Sequence, residues 1–374
     1  MAEELFHLCL VSGQPLPNLI PALSEESRPD GVVLLVSENM REKARLLRAN
    51  LENLGCRVEE VPIHPYRIED IRATILDQLV RYEGRQIALN ATCGTKVMAL
   101  GAYDVFREFG HPAFYIDTDN RQKITLLPVP SSAPLADLVS VKLSLAAYGY
   151  TIEKSGSCRV LPERRQFGEF LVKNVGRLTG ALGILNACAA SAKLTLQARL
   201  EERHLANPYV AELMGKCTAA GILAVDGERL IFKDEDARFF ANGGWLEDFV
   251  TQTVNRLKGQ KLVRDHQNNL VVTSGGKVKN EIDLAFTANN RLHLIECKTA
   301  LMADKQSKEG RADGIAYKLE ALRDLIGGTY AQAMLVSYRE LTPEDRRRCK
   351  EYRIKVVEGA RIGELYGNIR RWIE

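Results

Sequence analysis

The 374-residue sequence has no stretch approaching twenty apolar residues, so no membrane span is expected. Residues 1–10, MAEELFHLCL, lack a basic segment and a cleavage pattern, so no secretory signal is expected. Charge of one sign is also missing. The net charge of +3 is too small to argue nucleic-acid binding from the whole chain, and any basic groove must be local. The eight cysteines contain no C-x-x-C, and the six histidines are equally scattered. This pattern argues against a disulfide framework and a zinc site. It suits the reduced, buried thiols of a cytoplasmic protein.

What is present is globular. A hydrophobic content of 45% with 26% charged residues, over this length, predicts two or three domains. In the first, apolar runs at 4–11 and 31–37 and further strand segments at 57–63, 86–90 and 113–117 alternate with helical patterns at 39–54, 68–82 and 96–109. Continuous apolar strands alternating with helices imply a parallel sheet covered on both faces. The expected fold is Rossmann-like and doubly wound, completed by a hairpin at 123–130. Ligands of such sheets sit beyond the carboxyl ends of the strands.

Three strand ends are polar there: Ser12-Gly13-Gln14, the loop Asn90-Ala91-Thr92-Cys93-Gly94-Thr95-Lys96, and Asp117-Thr118. The middle loop runs directly into a helix, so small residues, hydroxyls, a helix N-terminus and Lys96 make an anion site. It has neither the Walker A spacing nor a G-x-G-x-x-G fingerprint. A plain strand-to-helix turn capped by Thr95 is the other reading.

Residues 150–242 read as a middle domain. A polar linker at 151–162 is followed by helices at 167–192, 194–205 and 208–220. A hairpin then turns at Asp226-Gly227. Helices followed by a hairpin suggest a winged helix, serving either DNA binding or a structural link. The sparse basic charge of 208–220 favours the link.

The third domain, 243–374, centres on residues 279–298, KNEIDLAFTANNRLHLIECK. Period-2 alternation on both sides of Asn289-Asn290 predicts a β-hairpin. A two-residue turn there places Asp283 opposite Glu296 on one face, with Cβ atoms about 5 Å apart. Lys298 lies on the same face, about 6.6 Å further along. Opposed carboxylates repel unless a cation sits between them, and hard cations such as Mg²⁺ or Mn²⁺ prefer such oxygens. Upstream, Gly243-Gly244 opens an amphipathic helix on which Glu247 supplies a third acid.

Glu247, Asp283, Glu296 and Lys298 resemble the PD-(D/E)XK nuclease pattern, in which a helix carries one acid and a hairpin the rest. Ile282 stands where the usual Pro would be. The resemblance implies metal held by Glu247, Asp283, Glu296 and Cys297. It also implies a catalytic set of Glu247, Asp283, Glu296, Lys298 and, from the helix at 315–326, Lys318 or its neighbour Tyr317. A basic loop at 299–311, with Lys305, Lys308 and Arg311, is expected near substrate phosphates.

The N-terminal N-A-T-C-G-T-K segment resembles the motif of CARF domains (CRISPR-associated Rossmann fold), with Cys93 in place of a Gly. That resemblance implies a sensor, 1–149, for cyclic oligoadenylate, usually cyclic tetra-adenylate. The implied ligand contacts are Ser12, Gly13, Gln14, Thr92, Gly94, Thr95, Lys96, Asp117 and Thr118. It also implies a homodimer whose two-fold axis the ring-shaped ligand straddles. Together the resemblances imply a metal-dependent nuclease of type III CRISPR defence, acting on DNA or RNA. Two other readings remain: a constitutive restriction or repair nuclease, and a winged-helix regulator with an inactive nuclease domain.

Overall fold

A computed structural model of the protein describes residues 4–25, 28–276, 278–299 and 312–374. The basic segment expected at 299–311 lies, beyond Thr299, outside the described residues.

The N-terminal domain begins with β1 (Leu5–Leu10), α1 (Leu16–Leu23), β2 (Gly31–Val36), α2 (Arg41–Asn53) and β3 (Arg57–Pro62). It continues with α3 (Ile68–Arg81), β4 (Gln86–Asn90), α4 (Lys96–Glu108), β5 (Ala113–Asp117), β6 (Gln122–Leu127) and β7 (Ser131–Pro134). The sheet order is β3-β2-β1-β4-β5-β6-β7. The first five strands are parallel, and β6 and β7 close the edge antiparallel. The entirely buried sequence GVVLLV of β2 shows why the runs are continuously apolar, since both faces are covered. One core lies between the sheet and α3 and α4, and the other between it and α1 and α2.

Next come α5 (Val141–Ala147) and β8 (Tyr150–Lys154). Here the structure corrects the linker expected at 151–162. β8 pairs antiparallel with β12 (Asp265–Ser274) and forms the edge of the C-terminal sheet. Ile152 packs into that sheet's core, so the β-branched pair Thr151-Ile152 goes into a strand, despite the Gly and Ser that follow. Val141 and Leu145 of α5 enter the same core. The chain therefore crosses the C-terminal domain before entering the middle one.

The middle segment holds α6 (Pro162–Lys173), α7 (Val175–Ser191), β9 (Gln197–Arg199), α8 (Glu202–Leu205), α9 (Pro208–Ala219), β10 (Leu223–Asp226) and β11 (Arg229–Phe232). The helix expected over 194–205 is instead a short strand and one helical turn. Leu196 has φ +57°, which ends any helix, and β9 then pairs with β11. The β10–β11 turn is Gly227-Glu228, one residue later than expected, because Asp226 pairs with Arg229. The three-stranded β10-β11-β9 sheet behind α7 and α9 is winged-helix-like. Its core is continuous with that of the C-terminal domain, running from Phe167 to Ile373.

The C-terminal domain contains α10 (Glu235–Phe239), a π-turn at Phe240–Gly244, and α11 (Trp245–Gly259). After β12 come β13 (Val278–Ala288), β14 (Arg291–Lys298), α12 (Ala312–Gly327), β15 (Gln332–Ser337), α13 (Pro343–Glu351), β16 (Ile354–Glu358) and α14 (Leu365–Ile373). The sheet order is β16-β15-β14-β13-β12-β8. β14 to β16 are parallel and the rest antiparallel. α11 and α14 cover one face, while α5 and α12 cover the other. Among the described residues no helix is long and apolar enough to cross a membrane.

Candidate active site

The β13–β14 hairpin has the expected register. Leu284 pairs with Ile295 and Ala288 with Arg291, leaving Asn289-Asn290 as a two-residue turn. Both have positive φ, +55° and +59°, the requirement of a type I′ turn that Asn tolerates. Extending the register puts Asp283 opposite Glu296. The adjacent main chain confirms the proximity, because the Cys297 N–H donates to Asp283 Oδ2 at 2.7 Å. Lys298 Nζ lies 2.6 Å from Glu296 Oε1, so the strand's two same-face charges are paired with each other.

Glu247 enters from the first turn of α11, anchored by the buried Trp245, Leu246 and Val250. Its Oε2 is buried and has no hydrogen-bond partner. Burial, and then the charge of Asp283, push its carboxyl well above the ordinary range. Asp283 is raised for the same reasons, burial first and then Glu296, although Lys298, the Cys297 N–H and Lys318 oppose the shift. Burial acts against the Lys298 ammonium, but Glu296 and Asp283 outweigh it and hold the amine charged. Asp248, next in sequence, is pushed up to about 6 by burial against the pull of Arg164.

Glu247, Asp283, Glu296 and Lys298 thus form one electrostatic unit. Lys318, exposed on α12, reaches it only by its field. Tyr317 is 63% exposed. The Cys297 thiol is buried among core side chains, and burial raises its pKa, while its backbone N–H faces Asp283. Among the described residues no three His, Cys, Asp or Glu side chains converge closely enough to hold a metal ion. The reason is visible: Glu296 is turned onto Lys298 and Asp283 onto the Cys297 N–H. The donor chemistry nevertheless fits a hard cation, with all-carboxylate oxygens, one of them an orphan, and mutual repulsion to relieve.

Residues that sequence reasoning missed share this site. A cleft of about 720 Å³ is lined by Glu247 and Asp283 together with Lys154, Asp236 and Phe239. β8 was read as a linker, so Lys154 carried no signal, and Phe239 precedes an irregular π-turn that no periodicity reveals.

In the N-terminal domain two of the three polar strand ends meet. The Cys93 thiol donates to Gln14 O at 3.4 Å, and Gly94, with φ +78°, rests on Leu10. Thr92 bridges to the third, accepting from Ile116 N at 2.8 Å. Thr95 does cap α4, accepting from Met98 N at 3.1 Å, while Lys96 is exposed beside it. Ser12 braces its own loop by accepting from Gln14 N, and Gly13 is exposed. Asp117 spends its carboxylate on a turn, accepting from Asp119 N and from Asn120. These bonds, chiefly from the Asn120 N–H, hold it below the usual range. Thr118 is buried. A further cleft of about 840 Å³, lined by Asn39, Arg41, Arg45 and His64, lies at the ends of β2 and β3. Sequence reasoning had singled out neither end.

These loops touch the C-terminal domain directly. Gln14 Nε2 donates to Thr329 Oγ1 at 2.9 Å, and Tyr148 OH donates to Gln14 Oε1 at 2.8 Å. Arg291, the first residue of β14, donates to Thr118 O at 3.2 Å and pairs with Asp119. The Asn290 side chain accepts from Leu138 N and Val139 N and donates to Ala136 O.

Comparisons with known proteins agree with this architecture. Residues 6–148 match the Card1 CARF domain family, and residues 234–374 match the Card1-like endonuclease domain family. Protein VC1899 from Vibrio cholerae is 27% identical with TM-score 0.89, over 99% of this chain and 98% of that one. Can2 from Sulfobacillus thermosulfidooxidans, solved in complex with cyclic tetra-adenylate, is 26% identical with TM-score 0.84, over 99% and 100%. A type III CRISPR defence DNA nuclease activated by cyclic oligoadenylate shares the fold at 20% identity and TM-score 0.56, over 91% of this chain and 46% of that one. No curated protein matches significantly. With a CARF domain joined to a Card1-like endonuclease domain, the chain belongs to the CARF-domain nucleases.

Proposed function

We propose that the protein is a cytoplasmic, metal-dependent nuclease that hydrolyses DNA or RNA phosphodiesters when cyclic tetra-adenylate binds its CARF domain. We also propose that it acts as a homodimer, with sensor, winged-helix-like and nuclease segments at 1–149, 150–242 and 243–374. The observation that carries the catalytic half is the buried, unpartnered Glu247 carboxylate beside Asp283, with Glu296 and Lys298 on the paired strand. The cyclic tetra-adenylate in Can2 supports the choice of activator. Free cysteines among the described residues support a reducing compartment.

Glu247, Asp283 and Glu296 would hold Mn²⁺ or Mg²⁺, which when bound supplies Lewis-acid stabilisation and an acidified water. Lys298, paired with Glu296, orients the attacking water or helps to deprotonate it, and offsets charge developing on the phosphoryl oxygens. Lys318 adds positive field from α12. On the sensor side, the loops at Gln14, Thr92–Lys96 and Thr118 surround the activator. Their bonds to Thr329 and Arg291 carry its effect to the turn that follows α12 and to β14, whose 8 residues end at Lys298.

The test is cleavage of labelled single-stranded RNA, single-stranded DNA and plasmid with Mn²⁺, with and without cyclic tetra-adenylate. Glu296→Ala is the control. Activator-dependent cleavage lost in the variant is expected. Activator-independent cleavage would overturn the sensor assignment, and cleavage surviving in the variant would overturn the site.

A further inference from the structure

Two consecutive phenylalanines part company at the entrance to the active-site helix. Phe240 is buried at 1% exposure, capped by the Arg164 guanidinium at 4.7 Å from its ring centroid. Phe239 is 44% exposed and lines the cleft that Glu247 and Asp283 share. Its ring is not a loose surface group. A Cβ on Gly244 would lie 2.8 Å from ring carbons Cδ1 and Cε1, so that edge of the ring packs against the glycine and leaves no room for a side chain there. Gly244 and Glu247 are three residues apart, one helical turn on the same face. The glycine that carries the ring therefore stands about 4.5 Å along the helix axis from the level of the acid. That is within the reach of one nucleotide from a phosphate held there.

The surroundings narrow what the exposed ring face can receive. Asp236, Glu247, Asp283 and Glu281 line the same cleft, with Lys154 among them. An acid-lined wall repels phosphates, whereas a nucleobase presents a neutral π-face to an aromatic ring. An exposed Phe seated beside the acids that act on a phosphodiester has one natural occupant in a nuclease, the base next to the scissile bond. Gly243, with φ +123°, kinks the chain between α10 and α11, and on the near side of that kink Phe239 faces the cleft while Phe240 faces the core.

We propose that Phe239 is a substrate-stacking residue, which receives an unpaired nucleobase flanking the scissile phosphodiester, with Gly244 as the seat of its ring. The proposal rests on the nuclease reading of the site, and binding separates the two. In a Glu296→Ala background, the affinity for a labelled single-stranded oligonucleotide is measured with Phe239 intact, Phe239→Ala, Phe239→Trp and Phe239→Leu. Phe239→Ala is expected to weaken binding about 5- to 150-fold, the equivalent of one base–aromatic stack. Phe239→Trp restores it and Phe239→Leu does not. In cleavage by the Glu296 protein, the loss appears in KM more than in kcat. Scanning an abasic nucleotide through the oligonucleotide reveals one position that costs the wild type a similar factor and leaves Phe239→Ala unaffected. Equal affinity of the Phe239 and Ala proteins, rescue by Leu, or no sensitive abasic position would overturn the stacking role. Loss of cleavage with these binding differences intact would count instead against the nuclease reading alone.

Discussion

The tip of the active-site hairpin makes a demanding test of how the two domains are joined. Asn290 is 5% exposed and has φ +59°. Its Oδ1 accepts from Leu138 N at 2.8 Å and Val139 N at 3.1 Å, and its Nδ2 donates to Ala136 O at 2.8 Å. Asn290→Ala orphans two N–H groups and one carbonyl in a partly buried setting. Each such group costs about 1–3 kcal/mol where water cannot replace its partner. The left-handed conformation adds about 1–2 kcal/mol for an alanine. A total of about 3–8 kcal/mol follows if water reaches one of the three freed groups. Asn290→Gly abolishes the side-chain bonds but not the backbone compatibility, so it should be milder by about 1 kcal/mol. Asn290→Asp keeps the acceptor and loses only the Nδ2 donor, and should fall between wild type and Gly. Urea unfolding followed by tryptophan fluorescence reports the transition, because Trp245 and Trp372 both lie in the C-terminal domain. Loss of under 1 kcal/mol in Asn290→Ala would refute the clasp. Equal loss in the Ala and Gly variants would refute the contribution of the left-handed turn.

Arg291→Ala removes the bonds to Thr118 O and Asp119 without touching the acids. Cleavage stimulation by cyclic tetra-adenylate should fall about 5- to 100-fold while calorimetric affinity for it changes less, the mark of lost coupling. Parallel losses in both would place Arg291 in the ligand site instead. Glu247→Gln should lower kcat at least 10²-fold, about the effect of one transition-state group, yet raise the melting temperature of the metal-free protein. For the same carboxylates the sign with pH is fixed. Their folded pKa values lie above the unfolded ones, so the native state holds protons the unfolded chain releases, and stability is lost as pH rises from the ordinary carboxylate range through neutrality. Thermal melts from pH 5 to 8 with chelator should fall, and added Mn²⁺ should flatten the trend. Gly94→Ala meets Leu10 Cβ at 2.9 Å with φ +78°. It should cost about 1–3 kcal/mol through strain, and should weaken activator binding measured by calorimetry.

Periodicity determined much of the architecture. The apolar runs of β1, β2 and β4, alternating with helices, had to be buried on both faces, which is why the parallel sheet was legible, while the edge strand β3, RVEEVP, stays half-exposed. The Asn289-Asn290 pair determined the hairpin register, and a period of two then placed Asp283, Glu296 and Lys298 on one side. Thr95 capping and the Gly94 turn were equally local facts. Local pattern fails where a strand finds its partner far along the chain. Tyr150–Lys154 carries too few residues to announce a strand, and only the open edge of β12, more than a hundred residues later, makes it one. The same is true of Leu194–Leu205, where pairing with β11 overrode a weak helical pattern. Function divided likewise. The sequence by itself determined that Asp283, Glu296 and Lys298 would come together on the hairpin, because spacing on a strand is geometry. Only the tertiary structure decided that Glu296 would turn onto Lys298, that Glu247 would be left orphaned, and that Phe239 would face the cleft while Phe240 faced the core. Those outcomes depend on which surfaces remain after distant elements have packed, and no local period encodes that remainder.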